Sequence, residues 1–347
     1  MKSYDQLKTV SDEFFKSCHN GVKRHPWAIV IAMHEYFRNL FPADPYICFE
    51  ENTCPTERVY KKTNELIEFL NSVNRIGAYE MNLDEKIKVL DVKDQTGNVY
   101  GKLWSKFSFE ELTDKATSML RERLVKNGFD MSYFHGKNAI DVGCGSGRHT
   151  FALKKLGCSS VIGVDYGDEG LKVANEIIEK SKIAGITFRK CNVLELPFDD
   201  NSFDFAYSNG VVHHTEDMER GIGEIIRIVK PGGKILLYLY GDGGVYWYAR
   251  KRMPEIMKKI PQKYTMTILD LIGMPRDRFI FTDNWYVPIE IHTTDKESRQ
   301  ILSKYNISEV IRCEYGRSTD LEYMAIHGGI AGRTLLGDGA LRYIITK

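Results

Sequence analysis

The chain has 347 residues, 43% hydrophobic and 27% charged. That composition fits a folded protein with a sizeable core and excludes a disordered or fibrous one. Its 48 basic residues against 47 acidic ones leave a net charge of +1, without the basic excess of a nucleic-acid binder.

The N-terminal stretch MKSYDQLKTVSDEFF lacks the apolar core of a secretion signal. The apolar run WAIVIAM at 27–33 is far shorter than the ~20 residues that span a bilayer. Seven scattered cysteines with no CxxC spacing read as reduced thiols. The expectation is a cytoplasmic protein away from membranes. Residues 1–105 form a first region, in which YDQLKTVSDEFFKSCH, HPWAIVIAMHEYFRNLF and TERVYKKTNELIEFLNSV carry apolar residues at helical spacing. Pro55-Thr56-Glu57 opens the third of these. KIKVLDVKDQTGNVYGKLW (86–104) suggests a hairpin around Thr96-Gly97-Asn98, and 107–127 a further helix ending near Asn127-Gly128.

From 137 onward the rhythm is strand, helix, strand, helix. KNAIDV, SVIGVD, ITFRKC, SFDFAYSN and KILLYLYG read as five strands. Between them lie helices ending at Gly157, Gly185 and Pro231-Gly232-Gly233. ISEVIRCEY and ALRYIIT supply two more strands, joined by a long glycine-rich loop at 316–339. The fold class expected is α/β: a doubly wound, mostly parallel, seven-stranded Rossmann-like sheet. Residues 1–105 are its helical extension, serving as lid or dimer interface, and 106–240 the ligand-binding core. Residues 241–300 form a cap after strand five, whose basic run ARKRMPEIMKKIPQK reads as a solvated helix face. Residues 301–347 return the last strands.

DVGCGSGRHT, 141–150, follows the first strand, where open α/β sheets bind ligands. A Walker A loop needs a lysine after the glycines, and none follows. A dinucleotide fingerprint wants a small residue where Arg148 stands, which disfavours NAD without excluding it. Asp165 ends the second strand, 22 residues after Gly143, near the spacing of an acidic residue that accepts from ribose hydroxyls.

With GVDYG, CNVLELPFDDNSFDFAYSNGVVHH and EIIRIVKPGGKILL following in order, residues 137–240 resemble the core of class I S-adenosylmethionine-dependent methyltransferases. The resemblance implies S-adenosylmethionine as cofactor and S-adenosylhomocysteine as product. It assigns cofactor contacts to Asp141, Gly143, Gly145, Gly147, Asp165, Tyr166, Asn192, Val193 and Asn209. Relatives usually carry an acidic residue where Asn192 stands. Tyr100 and Trp104 occupy the place of a cofactor lid. The implied activity is in-line methyl transfer to a small-molecule acceptor. Protein or RNA methylation by the same core, and a non-catalytic S-adenosylmethionine-binding scaffold, are the alternatives. His213 and His214 follow strand four, where either suits a general base at neutral pH or packs beside the cofactor. Adjacent histidines without a third spaced ligand do not make a metal site. Tyr246, Trp285 and Tyr286 suit either a cage for an acceptor or the core of the cap itself. A homodimer is a further expectation.

Overall fold

The computed structural model describes residues 1–40, 54–76, 109–274, 281 and 284–347. The chain forms two compact units. One comprises Met1–Val89, Asp242–Val287 and Tyr323–Gly339; the other comprises Leu90–Gly241, Pro288–Glu322 and Ala340–Lys347. The segment 242–287 thus belongs with the N-terminal helices, and 288–322 with the sheet.

The sheet unit is built on α4 (Phe109–Lys126), β1 (Asn138–Val142), α5 (Arg148–Lys155), β2 (Ser160–Asp165), α6 (Asp168–Ser181) and β3 (Ile186–Lys190). It continues with β4 (Phe203–Asn209), α7 (Met218–Ile228), β5 (Val229–Tyr240), α10 (Asp295–Leu302), β6 (Glu309–Arg312) and β7 (Ala340–Thr346). The strand order is β3-β2-β1-β4-β5-β7-β6. The first five strands are parallel, and β7 runs antiparallel between β5 and β6. The reversal between β1-β2-β3 and β4-β5 puts a crevice beside the loop after β1.

Strand side chains alternate between two cores, as a two-residue period requires. Ile140, Ala206, Ile235, Leu237 and Tyr343 face the α7 side with Ile222, Ile225 and Ile226. Ala139, Phe205, Tyr207, Leu236 and Ile344 face the α4–α5 side with Leu120, Leu124 and Leu153. Continuous apolar strands such as KILLYLY are buried on both faces for this reason.

Several boundaries differ from the sequence reading. β5 begins at Val229, so Pro231-Gly232-Gly233 is an irregularity inside it, between the Phe203↔Val229 and Phe205↔Lys234 pairs. The helix before β3 stops at Ser181, short of Gly185, and Lys182 caps it in the left-handed conformation (φ 52°).

The other unit holds α1 (Tyr4–Gly21), α2 (Pro26–Asn39), α3 (Pro55–Arg75), α8 (Gly244–Met257), α9 (Gln262–Leu271), most of α11 (Leu321–His327) and α12 (Gly329–Leu336). Ser3 caps α1 by a reciprocal pair of hydrogen bonds with Gln6, and Pro55 occupies the first turn of α3. The core includes Phe14 stacked on Tyr36 at 4.4 Å between ring centroids and buried Trp247, whose Nε1 donates to Leu336 O at 3.0 Å. The segment 316–339, expected to be a loop, is largely α11 and α12. Gly328 and Gly332 are packing devices: a Cβ on either would strike Met324 O, so the absent side chains let the two helices approach. The basic run is not simply a solvated face either. Arg250 is buried beside the Tyr246 hydroxyl, and the Arg252 guanidinium lies 5.6 Å from the Phe15 ring centroid.

Candidate functional site

β1 carries Asp141 and opens into the loop 143–147. Gly143 N and Cys144 N both donate to Val164 O, at 2.7 and 2.9 Å, which ties the loop to β2. Gly143, Gly145 and Gly147 have φ of 77°, 54° and 84°, values that L side chains adopt at a cost of about 1–2 kcal/mol. The three differ in what surrounds them. A Cβ on Gly143 would strike Val211 and one on Gly147 would strike Phe188, whereas one on Gly145 would meet nothing within 4 Å. Two glycines therefore serve internal packing, and the middle one faces open space. Behind it, a Cβ on Gly170 of α6 would come within 2.8 Å of the Gly145 carbonyl carbon. The helix thus presses on the loop backbone, a role for Gly170 that sequence reasoning missed.

Asp165, half-buried at the tip of β2, organises this loop. Its carboxylate accepts from Gly145 N at 2.7 Å and from Gly167 N at 2.8 Å. Desolvation raises its pKa, opposed by the N–H groups of Gly167, Gly145 and Tyr166. A carboxylate offers about four lone-pair directions, so capacity remains after those two bonds. Tyr166 next to it is 39% exposed and presents a ring face, with Lys190 Nζ 5.6 Å from the centroid. Asp141 is buried and accepts from Thr150 Oγ1 at 2.7 Å. Burial pushes its pKa up to about 7, with Thr150 opposing and the Asp165 charge adding to the rise. Ser146 Oγ is buried and makes no hydrogen bond, an orphan polar atom of the kind a ligand or water satisfies.

After β3, Asn192 accepts from Leu194 N at 3.0 Å, so its carbonyl shapes the turn. Val193 packs partly buried against the α7-side core. Asn209 ends β4 and lines a small cavity with Arg123, Tyr207, Ser208, Tyr238 and Arg342. Both arginines are held by acids. Arg123 grips Asp320 through Nε and Nη2 at 2.8 and 2.6 Å, and Arg342 pairs with buried Glu322 while lying 4.3 Å from the Tyr238 centroid.

The two histidines fall in a 3-10 turn, Val212–His214. His213 is buried with its ring 3.8 Å from that of Tyr240, which makes it a packing residue. His214 is half-buried, and its Nδ1 donates to Ile289 O at 2.8 Å. In that tautomer the lone pair belongs to Nε2. The carbonyl comes from segment 288–293, which lies across the ends of β4 and β5. Ile291 N donates to His213 O at 2.8 Å, and Thr293 N to Tyr240 O at 3.2 Å. Tyr246 and Trp285 are buried in the helical unit, 5.5 Å from Phe37 and 5.0 Å from Phe281 respectively. The Tyr286 hydroxyl donates to Ile260 O at 2.9 Å. These aromatics are core and packing groups of that unit. The 86–104 hairpin, Tyr100 and Trp104 lie outside the described residues.

The described residues contain no cluster that could hold a metal ion and no helix long and apolar enough to cross a membrane. Open space at Gly145, an orphan hydroxyl at Ser146, remaining acceptor capacity at Asp165 and a part-exposed ring at Tyr166 suit an adenosyl cofactor bearing ribose hydroxyls and a cationic centre.

Comparison with known proteins agrees with that fit. Residues 140–237 match the family described as a methyltransferase domain. Demethylmenaquinone methyltransferase of Shouchella clausii is 31% identical over 138 residues, covering 37% of this chain and 59% of that protein. Phosphoethanolamine N-methyltransferase 2 of Caenorhabditis elegans is 31% identical over 108 residues, 31% of this chain and 25% of that one. The chain thus spans about three-fifths of the length of the first of these relatives and a quarter of the second. Among solved structures, Haemonchus contortus phosphoethanolamine N-methyltransferase 2 with S-adenosyl-L-methionine is similar at a TM-score of 0.47 and 18% identity, covering 75% of this chain and 60% of that one. The matched segment runs from β1 to β5 and takes in the glycine loop, so the core of this chain is similar to a methyltransferase domain.

Proposed function

We propose that the chain transfers a methyl group from S-adenosylmethionine to a small-molecule acceptor, with His214 taking the acceptor's proton. The observation that carries this reading is the loop at Gly145. Its backbone is in a left-handed conformation with free space beside it, and it is hydrogen-bonded to the carboxylate at the tip of the next strand. The bound cofactor supplies a sulfonium-activated methyl group open to in-line displacement.

In this reading Gly145 leaves room for the methionine part and Asp165 accepts from the ribose hydroxyls. Tyr166 gives the adenine a flat neighbour, and Asn209, which lines the cavity at the end of β4, orients the reacting end. Close placement of reacting atoms supplies several kcal/mol of the barrier. A hydroxyl or ammonium acceptor must also lose a proton, and His214 Nε2 takes it while Nδ1 stays bonded to Ile289 O. His213 holds the turn against Tyr240.

The nearly balanced charge supports a small acceptor over a nucleic acid. The named relatives methylate different molecules, demethylmenaquinone and phosphoethanolamine by their names, so the acceptor is not inherited from either. Unpaired cysteines among the described residues support a cytoplasmic location. The test is calorimetry with S-adenosylhomocysteine, followed by acceptor panels scored by S-adenosylhomocysteine release. Asp165→Ala should weaken binding by more than ~tenfold. His214→Gln should lower turnover by ~100-fold with cofactor affinity kept. Turnover appearing only with added RNA or protein would replace the acceptor class, and an undiminished His214→Gln would remove the base.

A further inference from the structure

We infer that Glu290 and His292 form a clamp that fixes the ring tautomer of His214. This deepens the proton-acceptor reading above and rests on residues that it does not use. The segment 288–293 is anchored unevenly. Ile291 N and Thr293 N pair with His213 O and Tyr240 O, which holds the C-terminal half on the ends of β4 and β5. The carbonyl that matters, Ile289 O, lies upstream of both anchors. Glu290 and His292 are two residues apart, so in an extended segment they share a face. His292 Nε2 and Glu290 Oε1 are 2.7 Å apart, and His292 Nδ1 donates to Gly241 O at 3.1 Å. The clamp therefore runs from the carbonyl after β5, through the imidazole, to the residue adjoining Ile289.

The protons can be placed from the partners. A carbonyl only accepts, so His292 Nδ1 carries hydrogen. The contact to Glu290 then holds one further proton between ring nitrogen and carboxyl, and the pair is neutral as a unit. His292 is 4% exposed in its side chain and Glu290 15%. A neutral, hydrogen-bonded pair avoids the desolvation cost of a lone charge at such a position. At the other end Ile289 O accepts from His214 Nδ1 at 2.8 Å. Without that carbonyl an imidazole exchanges between two neutral tautomers, only one of which leaves Nε2 with its lone pair. Fixing a histidine tautomer through its second nitrogen strongly affects its action as a base. Glu290 and His292 are thus positioning residues, acting through His214.

The experiment is nitrogen NMR of the histidine rings in the full-length protein, with the His214 signals assigned by their loss in His214→Gln. Wild type should show the Nδ1–H tautomer at His214. Glu290→Ala and His292→Leu should both give a mixture of tautomers, with affinity for S-adenosylhomocysteine within ~twofold of wild type. Glu290→Gln, whose amide still bonds the His292 ring, should restore the wild-type pattern. Should His292→Leu fail to fold, His292→Met keeps most of the volume but has no donor for Gly241 O, and it should behave as Glu290→Ala does. An unchanged His214 pattern in Glu290→Ala, or one that Glu290→Gln does not rescue, overturns the clamp. The readout is a tautomer and not a rate, so loss of the base reading for His214 would leave this result standing, and the converse also holds.

Discussion

Gly145→Ala separates the two reasons for which a glycine can occupy the loop. The residue sits at φ 54°, where an alanine pays about 1–2 kcal/mol for its Cβ. No atom lies within 4 Å of that Cβ, so no clash adds to the cost. At about 2–4 °C per kcal/mol for a unit of this size, the unliganded variant should melt only a few degrees below wild type. Ligand binding should suffer more, because the methyl group fills the space assigned to the cofactor. A tenfold loss corresponds to about 1.4 kcal/mol, and at least that much is expected. Gly145→Asn sharpens the comparison. Asparagine tolerates the left-handed region better than alanine but projects further into the space. Stability should therefore rank glycine, asparagine, alanine, while affinity for S-adenosylhomocysteine ranks glycine, alanine, asparagine. Differential scanning calorimetry and titration calorimetry on the three proteins give both orders. If the two orders coincide, with affinity simply following stability, the open space at Gly145 is not where the cofactor lies.

Gly170→Ala should weaken cofactor binding without touching the ligand, because its Cβ would meet the Gly145 backbone at 2.8 Å; titration calorimetry measures it, and full affinity would mean that the helix yields instead. Asp141 gives a pH signature. Its folded-state pKa is raised from 3.8 to about 7, so between those values the folded protein binds more protons than the unfolded chain. Stability then falls as pH rises from about 4 to 7, by about 4 kcal/mol in all. Asp141→Asn, which can still accept from Thr150, should lose that slope in denaturant titrations at several pH values. Glu322 is fully buried against Arg342, so Glu322→Leu should cost about 3 kcal/mol or more. Adding Arg342→Met should recover most of it, as a double-mutant cycle in urea would measure.

The parts legible in the sequence were those that repeat or obey a local rule. Strands such as SVIGVD (160–165) and ALRYIIT (340–346) match their observed bounds, because buried apolar runs flanked by turn residues have few alternatives. The glycines and Asp165 were legible because turn geometry restricts which residues fit. Reading 316–339 as a loop failed because its glycines look like breakers, whereas Gly332 lets α12 pack closely on α11, a tertiary fact with no local signal. The aromatic pair Tyr246 and Trp285 was ambiguous for a similar reason, since a cage and a core draw on the same side chains. Ile289, Glu290 and His292 were invisible: a backbone carbonyl bonded to a histidine 75 positions away leaves no pattern in composition or spacing. Gly170 was missed because a glycine in the first turn of a helix reads as an ordinary small residue.

The direction of β7 has a consequence for how such a protein can diversify. Because β7 runs against β5 and β6, the connection from β6 departs from and rejoins the same rim of the sheet, the rim that bears the glycine turn. Its ends are anchored a short distance apart whatever its contents, and doubling its length adds only about 0.6 kcal/mol of closure entropy. Closure is only part of the matter, because residues 313–339 also carry Asp320, Glu322 and Leu336, which hold Arg123, Arg342 and Trp247. New sequence is therefore accommodated between those contacts and not in place of them, so chimeras of that stretch should keep Asp320, Glu322 and the α11–α12 packing.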